Sequence, residues 1–260
     1  MLAICDIDSI VYECAYRAQN GVEFAPGEWT YQGDFPSAKL DFEGVLESIQ
    51  DATAADDMIL ALTHEDRDLN FRRTVYPDYK RPRSRADNRR PLLFSALREW
   101  VSNTYNVKLK PAIEADDTVG ILMTADLPSL PPREERICVA IDKDLDTVPG
   151  LHFSWRDPAA GVVEVTEQEA DYTFMLQTLV GDSTDNYKGL PGCGPVTAPR
   201  ILGDPGESLA AYWAKVVAAF ESKGFTEADA LVQARCARIL QASDWDFENE
   251  EPILWEPPNA

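Results

Sequence analysis

The chain has 260 residues, of which 45% are hydrophobic, and a formal net charge of −21 at pH 7. This length and composition predict a globular protein with a substantial core, and they exclude a disordered, fibrous or disulfide-stapled miniature protein. The five cysteines are odd in number, widely scattered and never in a CxxC pair, which favours small buried hydrophobes in a reducing, cytoplasmic compartment over a disulfide framework or a zinc site.

The first half of the sequence alternates apolar runs with helical patterns. Leu2–Cys5 has no basic residues before it and predicts a buried first strand rather than a signal peptide. Residues 21–36, rich in Gly, Pro and aromatics, predict a loop or an excursion from the core. Residues 37–55 have helical spacing, and 58–62 predict a second buried strand. Pro91 is expected to begin a helix that runs to Asn103.

The second half continues the alternation and then becomes helical. Glu114–Ala125 predicts a helix with an acidic first turn, and Ile137–Ile141 predicts a third buried strand. Further strands are expected at 151–155 and 161–165, and helices at 166–180, 207–222 and 226–242. The pattern predicts a doubly wound, mainly parallel α/β core over residues 1–180 and a C-terminal helical region over 181–260. No apolar run approaches the roughly 20 residues of a membrane span, so no membrane partner is expected.

One segment of this acidic chain is strongly basic. Between Arg67 and Arg98 there are ten basic residues against three acids, a net charge of +7. A basic segment on an acidic body favours a localised contact with a polyanion, although a solvated basic loop has the same composition. Three prolines interrupt the segment, so it is expected to form an arch or clamp over about residues 64–103 rather than one helix.

Acidic residues are concentrated where strands end or helices begin. The four groups are Asp6 and Asp8; Glu114, Asp116 and Asp117; Asp142, Asp144 and Asp146; and Asp182 and Asp185, and of these Asp146 is equally explained as the cap of a turn. Because the carboxyl ends of parallel strands face one crevice, these groups are expected to converge there. So many carboxylates need a compensating charge, and oxygen ligands favour Mg²⁺ or Mn²⁺ over zinc. The sequence therefore predicts a site for two hard divalent ions.

The order of motifs resembles that of the 5′-nuclease (flap endonuclease) superfamily. FRRTVYPDYKRPR at 71–83 is similar to its FR…YPxYKxxR signature, and it is followed by EADD at 114–117, DKD at 142–144 and GDSTDN at 181–186. GLPGCGPVTA at 189–198 resembles its GxxGxGxxTA motif. The C-terminal GFTEADALVQARCARILQ resembles the T7-type phage 5′→3′ exonucleases in particular. The resemblance implies an enzyme that cleaves DNA near 5′ ends or flaps, or an RNA/DNA hybrid, in the host cytoplasm if the chain is encoded by a phage. A monomer is the default expectation, because the sequence leaves the oligomeric state open.

The resemblance also implies roles for individual residues. Lys80 and Arg83 would reach the scissile phosphate, and Tyr79 would stack on the displaced base. Metal ligands would be Asp6, Asp8, Asp66, Glu114, Asp116, Asp117, Asp142, Asp144, Asp182 and Asp185. Further DNA contacts would come from Arg72, Arg73, Arg81, Arg85, Gly189, Gly192, Gly194, Thr197 and Arg200. The glycine motif would form a helix-two-turn-helix-like grip on the duplex, with K⁺ as a candidate ion.

The sequence departs from the family pattern at two points. An aspartate is expected just after the second strand, but His64, Glu65, Asp66 and Asp68 all fall in that window, and Asp66 is taken as the candidate. Val196 replaces a lysine that is common in relatives, so one phosphate contact in the duplex grip would be weaker or would be supplied by Arg200.

Two other readings remain open at this point. A haloacid-dehalogenase-like phosphatase would use Asp6 as nucleophile and Asp8 as acid, with Gly181–Asp185 approaching its last motif. It leaves EADD, the FR…YPxYKxxR segment and the glycines unexplained. A non-catalytic, structure-specific DNA-binding module would account for the basic segment, but not for the retention of four acidic groups.

Overall fold

The computed structural model describes residues 1–81 and 90–258. Its strands are β1 (Leu2–Asp6), β2 (Gln19–Ala25), β3 (Glu28–Gly33), β4 (Asp57–Ala61), β5 (Val107–Lys108), β6 (Arg136–Val139), β7 (Gly150–Phe153), β8 (Val162–Val165), β9 (Trp245–Asp246) and β10 (Glu251–Pro252). Its α-helices are α1 (Asp8–Arg17), α2 (Phe35–Thr53), α3 (Arg72–Val75), α4 (Phe94–Thr104), α5 (Ala115–Thr124), α6 (Glu167–Val180), α7 (Ala198–Leu202), α8 (Leu209–Glu221) and α9 (Glu227–Ala237).

A six-stranded sheet forms the centre of the molecule, in the order β5-β4-β1-β6-β7-β8. All neighbouring pairs are parallel except β7 with β8, which is antiparallel. β1 lies between β4 and β6, so the chain moves to one side of β1 first and later returns on the other. In open α/β sheets, the crevice at such a switch point, outside the carboxyl ends of the strands, is the usual place for a ligand.

The alternating residues of β1 show why both faces of the sheet are covered. Ala3 and Cys5 join the core formed with α1, α2 and α4, whereas Leu2 and Ile4 join the core on the other face, with α5. Successive side chains of a strand point to opposite faces, so a continuously apolar β1 requires helices on both. The predicted doubly wound, mainly parallel α/β fold is confirmed.

The C-terminal helices have a core of their own. Phe174 of α6, Tyr212 and Trp213 of α8, and Ala230 of α9 are buried together with Trp255 of the tail. α6 begins where the sequence predicts it, at a capping box. The side chain of Thr166 accepts a hydrogen bond from the backbone N–H of Glu169, and the side chain of Glu169 accepts one from the backbone N–H of Thr166. The last residues of α6 lead directly into the GDSTDN segment, so this layer places Asp182 and Asp185.

Some sequence expectations on secondary structure are wrong. Residues 21–36 do not form a loop, because β2 and β3 pair as a hairpin around a Pro26–Gly27 turn with Gly27 at φ +79°. The glycines and proline that suggested a loop supply the turn of this hairpin. α9 ends at Ala237 instead of Ala242, because the backbone of Leu240 donates to the carboxylate of Asp117.

Two further expectations can be compared with the described residues. The five cysteines are buried and unpaired, as predicted. Among residues 1–81 and 90–258, no helix combines the length and apolarity that crossing a bilayer requires. The centre of the expected arch, residues 82–89, lies outside the described residues together with Arg83 and Arg85, so that arch stays a prediction.

Candidate active site

A cleft of about 500 Å³ lies at the carboxyl ends of β1 and β6. Asp6 ends β1, Asp142 follows β6, and Glu114 is the N-cap of α5, so three elements deliver carboxylates to this place. The acids that line the cleft are Asp6, Asp8, Glu114, Asp116 and Asp142, and its cations are Arg67, Lys80 and Lys143. Negative charge therefore predominates at the switch point of the sheet.

Crowding of like charges perturbs the first carboxylates. Burial raises the pKa of Asp6 to about 7, and Asp8, Asp142 and Glu114 add to the effect. Burial also raises the pKa of Asp116 well above its ordinary value, with Glu114 among the contributing charges. Each of these groups resists ionisation until a positive charge compensates it. An excess of oxygen donors with elevated pKa values fits a hard divalent cation in chemistry and charge.

A second group of carboxylates lies beside the first. Burial raises the pKa of Asp144 to about 7, and the charges of Asp142, Asp182 and Asp185 raise it further. Gln177 of α6, a residue that the sequence reading missed, donates from Nε2 to Asp144 Oδ1 at 3.0 Å. The backbone N–H of Asp185 donates to Asp182 Oδ1 at 3.3 Å, which fixes the GDSTDN turn. The four acidic groups therefore lie close together, but Asp144, Asp182 and Asp185 are not among the residues that line the cleft.

Lys80 and Tyr79 connect the two groups. Lys80 Nζ donates to Glu114 Oε1 at 2.7 Å and lies 3.3 Å from Asp185 Oδ2. The Tyr79 hydroxyl lies 3.0 Å from Glu114 Oε2 and 2.8 Å from Asp185 Oδ2. Burial alone would raise the pKa of Glu114, but Lys80 and then Arg72 hold it down at about 2. Lys80 also has a left-handed backbone, with φ +49°, a conformation that non-glycine residues keep only where the surroundings enforce it.

No group of three or more His, Cys, Asp or Glu side chains within 1–81 and 90–258 is already arranged to hold a metal ion. In the cleft, the ammonium of Lys80 lies between Glu114 and Asp185. A cation that enters the cleft has to share these oxygens with Lys80.

Burial corrects the roles expected for two residues of the FR…YPxYKxxR segment. Tyr79 is only 2% exposed and its hydroxyl contacts two carboxylates, so its ring is not available to stack on a DNA base. Arg72 is 1% exposed, so its guanidinium cannot contact DNA. Of the other predicted DNA contacts, Arg81, Thr197 and Arg200 are exposed, and Arg73 is half-buried and paired with Asp68.

Asp117 is not placed as a metal ligand. Both of its oxygens accept hydrogen bonds from Arg72, each at 2.7 Å, and they also accept from the backbone N–H groups of Glu114 and Leu240. The residue is fully buried. Its carboxylate is neutralised by a guanidinium, so the expectation that it binds metal is corrected in favour of a structural role.

Asp8 lines the cleft but is held from two sides. Its Oδ2 accepts from the backbone N–H of Thr63 at 3.2 Å, and its Oδ1 accepts from Arg98 Nη1 at 3.2 Å. Burial raises the pKa of Asp8, and Thr63 and Arg98 oppose that rise. Sequence reasoning missed both partners; Arg98 was counted with the basic segment. Its position next to Leu97 and three residues before Val101, both buried, was the available signal that α4 turns it inward.

Asp66 is placed outside the cleft lining. It is exposed and caps the short 3₁₀ turn Arg67–Leu69, accepting from the backbone N–H of Asp68 at 3.0 Å. Its own N–H donates to His64 Nδ1 at 3.1 Å. The expected ligand after the second strand is therefore not placed at Asp66, and this window contributes Thr63 and Arg67 to the cleft instead.

The glycine motif divides into a packed part and an open part. Gly189 has φ +60°, and a Cβ there would lie 2.4 Å from the backbone nitrogen of Gly181. Gly189 is therefore required by the protein's own packing, which corrects its assignment as a DNA contact. A Cβ at Gly194 would meet nothing within 4 Å, and one at Gly192 would meet only Lys223 Nζ, at 3.2 Å. Of the three glycines of this motif, only Gly192 and Gly194 leave room for a DNA backbone to approach.

This difference gives a stability prediction. We expect Gly189→Ala to lower the free energy of unfolding by roughly 2–4 kcal/mol, because it combines a left-handed backbone with a clash against the end of α6. Gly194→Ala is the matched control and should change it by less than about 0.5 kcal/mol. Urea unfolding followed by tryptophan fluorescence measures both, and equal losses would contradict the packing role of Gly189.

Known nucleases resemble this chain in sequence and in fold. No protein-family model matches the chain. The chain is 24% identical to the exodeoxyribonuclease of Enterobacteria phage T3 over 290 aligned positions, and 26% identical to the exonuclease of Escherichia phage T7 over 291; in both cases 98% of this chain and 93% of the relative are covered. Its fold is similar to that of the bacteriophage T5 D15 flap endonuclease in a complex with DNA and metal ions, with a TM-score of 0.52, 15% identity, and coverage of 91% of this chain and 92% of the other.

Proposed function

We propose that this chain, which belongs to the 5′-nuclease superfamily and is close to the T7-type phage exonucleases, is a divalent-metal-dependent 5′→3′ exonuclease and flap endonuclease that hydrolyses DNA phosphodiester bonds. The observation that carries the proposal is the pair of carboxylate groups at the switch point of the sheet, with Lys80 between them. This arrangement suits a reaction in which negative charge develops on a phosphoryl group.

Mg²⁺ or Mn²⁺ is the proposed cofactor, as two ions. The chain's own residues would hold them in two sets, Asp6, Glu114 and Asp116 in the first, and Asp142, Asp144, Asp182 and Asp185 in the second. When bound, such ions supply a nucleophilic hydroxide and neutralise the leaving oxygen of a phosphodiester. The all-oxygen donor set supports this choice over zinc.

The protein's own contribution is charge placed beside the scissile phosphate. Burial opposes the charged form of Lys80, but Glu114 and Asp185 raise its pKa, so the ammonium stays charged. Arg67 and Lys143 line the same cleft. Fixed cations stabilise the charge that builds on the equatorial oxygens in the transition state. Arg83, outside the described residues, would add a guanidinium fork.

DNA is the proposed partner, as a duplex with a 5′ end or a flap. The basic segment supports this proposal, because phosphate binding is driven by Lys and Arg. Gly192, Gly194, Thr197 and Arg200 would grip the uncleaved duplex, with K⁺ as a candidate ion at the glycines. An RNA/DNA hybrid and a monomeric, cytoplasmic enzyme remain part of the proposal.

Neither alternative is supported. The relatives are nucleases, not phosphatases or binding modules. In the phosphatase reading Asp8 acts as the acid, but its oxygens are held by Thr63 and Arg98.

Metal removal tests the proposal directly. With Mg²⁺ we expect the protein to shorten a 5′-labelled duplex and to leave p-nitrophenyl phosphate intact, because the cleft is built for a diester in a DNA strand. EDTA should abolish cleavage, and excess Mg²⁺ should restore it. A blocked 5′ end on matched flap and nicked substrates then separates exonucleolytic from flap cleavage. Hydrolysis of the monoester without DNA cleavage would refute the nuclease assignment.

A further inference from the structure

The guanidinium of Arg72 joins three distant parts of the chain. It forms a two-pronged ion pair with Asp117, from Nη1 to Oδ2 and from Nη2 to Oδ1, both at 2.7 Å. Its Nε donates to the carbonyl of Cys236 at 3.2 Å, and Nη2 donates to the carbonyl of Arg238 at 2.5 Å. Two of these partners lie more than 160 residues away in sequence. The geometry uses the planar fork of an arginine, which a lysine cannot reproduce.

Asp117 completes the junction from the other side. It accepts from the backbone N–H of Glu114 and from that of Leu240, each at 3.0 Å. The first bond closes the first turn of α5, in a capping box with Glu114. The second holds the segment that follows α9. One buried ion pair therefore fixes both the start of α5 and residues 236–240.

The junction extends to the cleft. Arg72 Nη1 lies 3.7 Å from Glu114 Oε2, on the side of that carboxylate away from Lys80 Nζ. The guanidinium also lies over the ring of Tyr79, 5.6 Å from its centroid. Glu114 is thus fixed at two places. Its backbone N–H donates to Asp117, and its carboxylate is paired with the cations of Arg72 and Lys80.

The same half of α9 also contacts the glycine motif. Gln233 Oε1 accepts from the backbone N–H groups of Lys188 and Gly189, at 3.1 and 2.8 Å. Three residues later along the same helix, the carbonyl of Cys236 meets Arg72. α9 therefore contacts the loop of the proposed duplex grip and, through Arg72, the cleft.

We infer that Arg72 is a positioning residue that couples α9 to the carboxylate of Glu114, so that the C-terminal layer sets the geometry of the cleft. The inference rests on the proposed function. Arg72 touches no reacting atom, since it is buried behind Glu114 and Tyr79. Its effect is on the placement of Glu114, and a displacement of about 1 Å at a reacting centre can lower a rate roughly 100-fold.

Arg72→Lys tests the coupling, because it keeps the charge and removes the fork. We expect kcat for a 5′-labelled duplex to fall roughly 10- to 100-fold while KM stays within about twofold. This pattern is expected when an interaction is lost in the transition state and not in the bound ground state. Arg136→Lys is the matched control. Arg136 is also buried, and it donates to the carbonyls of Leu122 and Ala125 at the opposite end of α5, roughly 15 Å along the helix from Glu114. It should lower the melting temperature comparably and leave kcat within about twofold.

A second readout does not depend on turnover. Binding of Mn²⁺ without DNA, followed by electron paramagnetic resonance, should weaken in Arg72→Lys and not in Arg136→Lys, while DNA affinity in EDTA stays the same in both. If Arg72→Lys does not fold, Asp117→Asn, which keeps one oxygen acceptor and replaces the other by an amide donor, should lower kcat with KM unchanged. Equal kcat losses in the two arginine variants, or an unchanged kcat in Asp117→Asn, would overturn the inference. A wild type that does not cut DNA would instead be a failure of the proposed function.

Discussion

We expect the double substitution Asp142→Asn with Asp182→Asn to lower kcat for DNA cleavage by more than about 10³-fold while DNA binding is retained. Asp142 lines the cleft at the end of β6, and Asp182 begins the GDSTDN turn, so each carries part of the second proposed metal set. An amide keeps the size of a carboxylate but lacks the charge that a hard cation requires. Quenched-flow cleavage of a 5′-labelled duplex measures the loss.

The double variant should fold, because the local bonds of both residues survive. Asp142 Oδ1 accepts from the backbone of Asp144 at 3.0 Å, and Asp182 Oδ1 accepts from that of Thr184 at 2.5 Å; an asparagine oxygen can accept both. Two negative charges that raise the pKa of Asp144 also disappear, which relieves repulsion.

DNA affinity, measured by fluorescence anisotropy in EDTA, should stay equal or increase, because less negative charge faces the phosphates. Asp56→Asn with Asp57→Asn is the matched control. It removes the same charge at the opposite, amino edge of the sheet and should retain full activity. If the Asp142→Asn, Asp182→Asn variant cuts DNA at more than about 1% of the wild-type rate, the two-ion assignment is wrong.

The position of the site could be predicted from the sequence because it depends on local signals. Short apolar runs ending in acids identify β1 and β6, and parallel strands present their carboxyl ends to one crevice. The start of α6 is equally local, since Thr166 and Glu169 form a capping box within one turn. None of these inferences requires knowledge of which distant residues meet.

The roles of Arg72, Tyr79 and Asp117 could not be predicted, because each depends on burial by distant chain. The motif shows only that Arg72 shares a short segment with Tyr79 and Lys80. The fold shows that its guanidinium donates to the carbonyls of Cys236 and Arg238. The same holds for Thr63 and Arg98, which donate hydrogen bonds to the oxygens of Asp8. Charge that looks available for DNA in the sequence is used to hold the cleft together.

Lys80→Met should lower kcat roughly 10²- to 10³-fold, because it removes the cation that bridges the two carboxylate groups. Nζ lies 2.7 Å from Glu114 Oε1 and 3.3 Å from Asp185 Oδ2, and methionine keeps all but the last atom of the unbranched side chain without its charge. The loss is expected in kcat more than in KM, since one ammonium among the basic segment contributes little to ground-state binding of a long strand. Single-turnover kinetics on a 5′-labelled duplex separate the two.

The same variant should change the dependence on pH. Lys80 is the largest of the charges that bring the pKa of Glu114 down to about 2 against the effect of burial, so without it that pKa rises. Lys80 also opposes the rise that burial causes in the pKa of Asp116, so that pKa rises further without it. Both carboxylates have to be ionised to act as proposed, and the acid limb of the kcat/KM profile should therefore move to higher pH. Lys110→Met, which removes a lysine paired with Glu250 beside a different cavity, should leave both rate and profile unchanged. If Lys80→Met keeps more than about a tenth of kcat with an unshifted acid limb, Lys80 does not act on the phosphate or on Glu114.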